Sequence, residues 1–171
     1  MIAQHRQPHL STAHAAPFQF FGSPTVLHST GETTEGRFFL LEHLAMAAGM
    51  ASPYHVHHNE DEAFYVLEGQ VAFICDGQWL VAGPGTYVFG PRDIPHGFKV
   101  IGTTAARMLL LCAPAGFEKF VQELSLPVDA VPAPPEMATL VAAAAKYGVE
   151  ILGPLPEGPD GSEARKLTSL K

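Results

Sequence analysis

Cysteine is scarce: Cys75 and Cys112 are the two in 171 residues. Both sit in apolar, strand-like runs, so reduced, buried thiols and a cytoplasmic setting are expected. A disulfide between them stays open, because sequence spacing does not give spatial distance. Charge is low as well. Charged residues make up 16% and hydrophobic residues 47% of the chain, the balance of a compact globule and not of a disordered segment. Positive charge is short in particular. The formal net charge of -7 argues against a nucleic-acid partner, since binding phosphates needs basic surface. The first 17 residues hold His5, Arg6, His9 and His14 but no continuous apolar stretch, so neither a signal peptide nor a membrane span is expected there. The irregular spacing of these histidines reads as a mobile or partner-draped arm more readily than as an accessory metal site.

What the chain does have is short strand-like segments punctuated by glycine and proline. Phe18 to Leu27 is apolar, broken by Gly22 and Pro24, and reads as an early strand or a cover for a sheet edge. Ser29 to Gly36 is a polar turn. Arg37 to Ala47 follows as a strand with Phe39, Leu41, His43 and Ala45 on one face. His43 is read as a satisfied polar residue in preference to a pocket group. Asp76-Gly77 between Val71 to Cys75 and Gln78 to Ala82 is a type I′ hairpin signal, and Trp79 is a large anchor for core or dimer contact. Thr86 to Phe89 and Ala105 to Cys112 complete the set. Short strands at regular spacing, with no βαβ alternation, indicate an antiparallel sandwich or barrel. Beyond it, Phe117, Phe120, Val121 and Leu124 fall on one helical face, and Glu136 to Tyr147 reads as a second helix after Pro134-Pro135 and before Gly148. One domain is expected, divided into an N-terminal arm with edge strands (1-35), a core (36-113) and C-terminal helices with a loose tail (114-171).

The chemistry concentrates in Gly49 to Gly69, GMASPYHVHHNEDEAFYVLEG. His55 and His57 are two apart and point to one face of an extended strand. His58 has the opposite parity and is left out. Glu62 opens the next apolar run, with Phe64 and Val66 on its face. Glu60 and Asp61 are read as solvated turn residues. His96, in PRDIPHGF, starts another strand, with Phe98 and Val100 on its own face. Imidazoles and a carboxylate converging on one point suit a divalent ion: iron, manganese, nickel, cobalt, copper or zinc.

These residues resemble the cupin superfamily. Gly49, His55, His57, Glu62 and Gly69 fit its first motif; Gly85, Pro91 and His96 fit the second, in which Asp93 stands for a glycine and Val100 for an asparagine. The resemblance implies an all-β jelly-roll barrel (a double-stranded β-helix) with a short helical extension. It also implies one divalent metal per chain on His55, His57, Glu62 and His96. The segment from GFEKFVQEL to YGVEILGP resembles quercetin 2,3-dioxygenase-like cupins with a single cupin unit. That implies a dioxygenase cleaving a flavonol-like or other enolic or aromatic molecule. Glu62 would take a substrate hydroxyl's proton as general base, the metal would lower that hydroxyl's pKa and hold its oxygen, and Phe64, Val66, Phe98 and Val100 would wall the pocket. The same cage also suits a non-redox isomerase, cyclase or lyase, or a non-catalytic binding module, and fold alone does not choose among them. A homodimer is expected because exposed edge strands need covering.

Overall fold

A computed structural model describes residues 9-12, 16-131 and 135-160. His5, His14 and the tail from residue 161 onward lie outside the described residues. In chain order the elements are β1 (Phe18–Phe20), β2 (Ser23–Ser29), α1 (Gly31–Thr34), β3 (Phe39–Met46), β4 (Tyr54–His57), β5 (Asp61–Glu68), β6 (Gln70–Cys75), β7 (Gln78–Ala82), β8 (Tyr87–Gly90), β9 (His96–Ile101), β10 (Ala106–Ala113), α2 (Glu118–Glu123), β11 (Leu126–Pro127), α3 (Met137–Lys146) and β12 (Val149–Gly153). The stretch read as a polar turn at Ser29 to Gly36 therefore contains a single helical turn, α1.

The strands form two antiparallel sheets, of order β11-β1-β2-β3-β10-β5-β8 and β12-β4-β9-β6-β7. Neither closes on itself, and no strand ladder joins one to the other among the described residues. The expected closed barrel is thereby corrected to two open sheets packed face to face. The reason lies in the core. Closing a barrel needs edge strands about 4.8 Å apart, whereas sheets held apart by side chains stand about 10 Å apart. Here Phe64 of β5 meets Phe73 of β6 at 5.0 Å and Phe98 of β9 at 6.1 Å between ring centroids, a layer of rings lying between the sheets.

Period-two alternation puts Phe64 and Val66 of β5, Met108, Leu110 and Cys112 of β10, Val71 and Phe73 of β6, and Phe98 and Val100 of β9 into this core. The pattern slips at several bulges, one of them in β3. Ala106 pairs with Met46 but Met108 pairs with His43, so β3 carries an extra residue there. The bulge takes Ala45 off the face expected to be shared with Phe39, Leu41 and His43: Met46 is buried and Ala45 is exposed. The Asp76-Gly77 turn has positive φ at both residues, 49° and 71°, as a type I′ hairpin requires. Gly69 ends β5 at φ 76°, where a Cβ would lie 2.6 Å from the Ala105 carbonyl oxygen. Cys75 and Cys112 are both free thiols. No helix among the described residues is long and apolar enough to cross a membrane.

Candidate metal centre

Four buried side chains meet between the sheets. One ligand atom from each of His55, His57, Glu62 and His96 lies within 4.8 Å of those from the other three. The backbone explains why. His55 and His57 project from the same face of β4, and His96 pairs directly with His55 across the β4–β9 ladder. Glu62 enters from the opposing sheet, where it pairs with Cys112 and with Gly90.

The outer nitrogens of the three rings are all occupied. His55 Nδ1 is 2.8 Å from the Pro53 carbonyl and His96 Nδ1 is 2.7 Å from the Ile94 carbonyl. His57 Nδ1 is 2.5 Å from Glu60 Oε1. A carbonyl or carboxylate oxygen only accepts, so each Nδ1 carries the proton and each Nε2 offers a lone pair to the centre. The inner atoms lack that balance. His57 Nε2 is buried without a hydrogen-bond partner. It stands 3.4 Å from Glu62 Oε1, while His96 Nε2 stands 2.8 Å from Glu62 Oε2. Lone pairs facing a carboxylate at these distances need positive charge among them, from a proton shared by His96 and Glu62 or from a metal ion. The set therefore fits a single divalent metal ion, with three neutral imidazoles and one carboxylate as donors.

Burial pushes the His55 ring down to about 3, the neighbouring His57 adding to the shift. Burial alone would raise Glu62, but His57, His96 and His55 outweigh it and hold the carboxyl well below its ordinary range. Burial would lower His96, yet its contact with Glu62 prevails and raises it.

The loop between the ligands is more ordered than its composition suggests. Glu60, expected in solvent, is 2% exposed and aims its carboxylate at His57. The turn is pinned by His58 N–H donating to the Gly148 carbonyl at 2.9 Å and by Asn59 Nδ2 donating to the Tyr147 carbonyl at 2.9 Å. Asp61 is held by Arg92, whose Nε and terminal nitrogen reach the two carboxylate oxygens at 3.1 and 2.8 Å. This pair ties the start of β5 to the loop before His96, and Arg92 holds the Asp61 carboxyl down at about 2. Asp93, standing where the second motif has glycine, adopts φ 62°, a left-handed geometry that aspartate tolerates. Its carboxylate lies 2.7 Å from Nδ1 of His58, which points away from the centre.

Beside the cluster opens a cavity of about 600 Å³ of atom-free space, counting its mouth. His55 and Glu62 reach it, and Phe64 and Phe98 line it. Val66 and Val100, expected as walls, are fully buried in the core and do not line it, because they lie one strand repeat beyond Phe64 and Phe98. Further walls come from distant segments: Phe20 of β1, Phe117 and Phe120 around α2, and Leu140 of α3. His43 lines it too, as well as being hydrogen-bonded to Thr25. No lysine or arginine is among the lining residues. The sequence carried no signal for these walls, because β1 lies well before the metal strands and α2 and α3 follow β10, and only the fold brings them to the cavity.

Residues 42–112 match the family model described as a cupin domain. Similar solved structures include KdgF from Halomonas sp. (TM-score 0.58, 16% identity, 66% of this chain and 99% of that one). An RmlC-like cupin from Shewanella frigidimarina gives a TM-score of 0.55 at 18% identity over 66% of this chain and 96% of that one. The polyketide cyclase RemF from Streptomyces resistomycificus gives 0.54 at 22% identity over 63% and 80%. The fold is similar to that of these cupin structures. Among curated proteins, a quercetin 2,3-dioxygenase of Bacillus subtilis is 31% identical over 75 residues, which is 44% of this chain and 22% of that enzyme. The match thus spans about a fifth of that relative's length.

Proposed function

We propose that this cupin is a metal-dependent dioxygenase that cleaves a flavonol-like or other enolic or aromatic small molecule. The observation that carries this reading is the junction of two environments. Three imidazoles and a carboxylate share a centre, and that centre opens on an aromatic-walled cavity without cationic side chains. A carboxylate or phosphate substrate would find no counter-charge in those walls, whereas a neutral aromatic body matches a lining that includes Phe64, Phe98 and Phe117. The partial similarity to a quercetin 2,3-dioxygenase supports the same class.

In this reading His55, His57, His96 and Glu62 hold the ion. When bound, the ion supplies Lewis acidity, lowering the pKa of a substrate hydroxyl. Glu62, kept ionised by its imidazole neighbours, accepts that hydroxyl's proton. The aromatic walls orient the ring and exclude water. The segments 1-35, 36-113 and 114-171 are read as one domain, a reading supported among the described residues by β1 and β2 belonging to one sheet and β12 edging the other. A homodimer would cover the outward-facing Tyr65, Tyr87 and Phe89, all exposed near the β8 edge.

Oxygen-electrode traces with quercetin test the reading, on protein reconstituted in turn with iron, manganese, cobalt, nickel and copper. Quercetin-dependent oxygen uptake with at least one metal is expected. Anaerobic turnover without uptake would replace it with a Lewis-acid isomerase, cyclase or lyase, and tight binding of unchanged quercetin with a binding module.

A further inference from the structure

His43 lines the cavity yet belongs to no part of the metal centre. It projects inward from β3, 2% exposed, with its ring 6.3 Å from Phe20 and 6.5 Å from Phe98. Its Nδ1 is 3.1 Å from Thr25 Oγ1. The Thr25 hydroxyl has one proton, and it is 2.9 Å from the Ser23 carbonyl oxygen, which can only accept. The hydroxyl proton therefore goes to Ser23. Thr25 Oγ1 then accepts from His43, so Nδ1 carries the ring proton. The opposite assignment would set the hydroxyl oxygen against the carbonyl oxygen with no proton between them. Burial keeps the ring neutral, with its pKa pushed down to about 4. Nε2 is thus left with a bare lone pair and has no hydrogen-bond partner among the described residues.

We infer that His43 Nε2 is the recognition point for a second hydroxyl on the substrate, accepting its hydrogen bond on the apolar side of the cavity. The inference rests on the proposed aromatic substrate and narrows it. The ligand carries one acidic hydroxyl for the metal centre and a separate neutral donor, such as a phenolic hydroxyl, for His43. A polyhydroxylated aromatic satisfies both. Thr25 and Ser23 act as positioning residues, because they set which nitrogen of His43 is free. A simple dicarboxylate offers neither the flat apolar body nor the neutral donor, and a sugar phosphate has neutral hydroxyls but no flat apolar body.

The test measures binding of quercetin and of 3-hydroxyflavone, which keeps the 3-hydroxyl but lacks the others. It uses zinc-loaded protein under anaerobic conditions. Wild-type protein is expected to bind quercetin about tenfold more tightly, the usual scale for one buried hydrogen bond. His43→Phe should lose that preference. His43→Gln, which can place an acceptor oxygen near the Nε2 position, should restore part of it. Nitrogen-15 chemical shifts of His43 should show a protonated Nδ1 and a bare Nε2 in the wild type, and a mixture of tautomers in Thr25→Val. Equal affinity for the two ligands, an unchanged preference in His43→Phe with zinc still bound, or a protonated Nε2 each overturn the inference alone. No binding of either ligand overturns the flavonol reading, and this inference with it.

Discussion

The carboxylate of Glu60 lies 2.5 Å from Nδ1 of His57, with both side chains buried. The contact fixes the tautomer of His57 and turns its Nε2 toward Glu62 and the other imidazoles. A carboxylate behind a histidine ligand raises that ligand's basicity, and losing one costs about 10–100-fold in metal affinity. Glu60→Ala is expected to weaken zinc binding by that order. Glu60→Gln, which can still accept the Nδ1 proton, should fall between the two. Competition against a chromophoric chelator measures this. Equal affinity in all three proteins would show that Glu60 serves the loop and not the ligand.

Val66 and Phe98 separate core from cavity. Val66→Ala deletes methyl groups from a fully buried position and should cost about 2 kcal/mol of unfolding free energy. Its affinity for a flavonol should not change. Phe98→Leu, on the cavity wall, should change affinity at least severalfold with the metal still bound. Urea unfolding and ligand titration on the same preparations check both. A reversed pattern would move the pocket deeper into the sandwich.

Much of the site was legible in the sequence because strand periodicity is strict. The two-residue spacing of His55 and His57 puts both on one face, and His58 outside it. The same rule assigns face but not depth, so Val66 and Val100 shared parity with Phe64 and Phe98 yet lie beyond the cavity. Glu60 sat in a polar run that reads as solvated. Only the contacts of that loop with Gly148 and Tyr147, nearly ninety residues on, turn it inward. The barrel expectation failed for a related reason: alternation is identical in a closed barrel and in two facing sheets, and the difference lies in which edges pair.

Acid should destabilise the metal-free protein partly through His43. In the unfolded chain its pKa is 6.5, and in the fold it is about 4. Below 6.5 the unfolded state binds the proton first, so stability contributed by neutral His43 is intact above 6.5 and is lost as pH falls through about 4. At pH 5 the loss from this group is about 2 kcal/mol. Denaturant midpoints at pH 7.5 and pH 5 should therefore differ less in His43→Leu than in the wild type. An identical drop in both proteins would mean that the ring is already charged in the fold.

The central claim is that His55, His57, Glu62 and His96 hold one divalent ion. Calorimetric titration of chelator-stripped protein with zinc tests it most directly. The account predicts one ion per chain, and loss of that site in His57→Ala and in His96→Ala while the far-ultraviolet spectrum of the sheets is kept. A wild-type protein that binds no ion, or a His57→Ala variant with full occupancy and unchanged affinity, would contradict it.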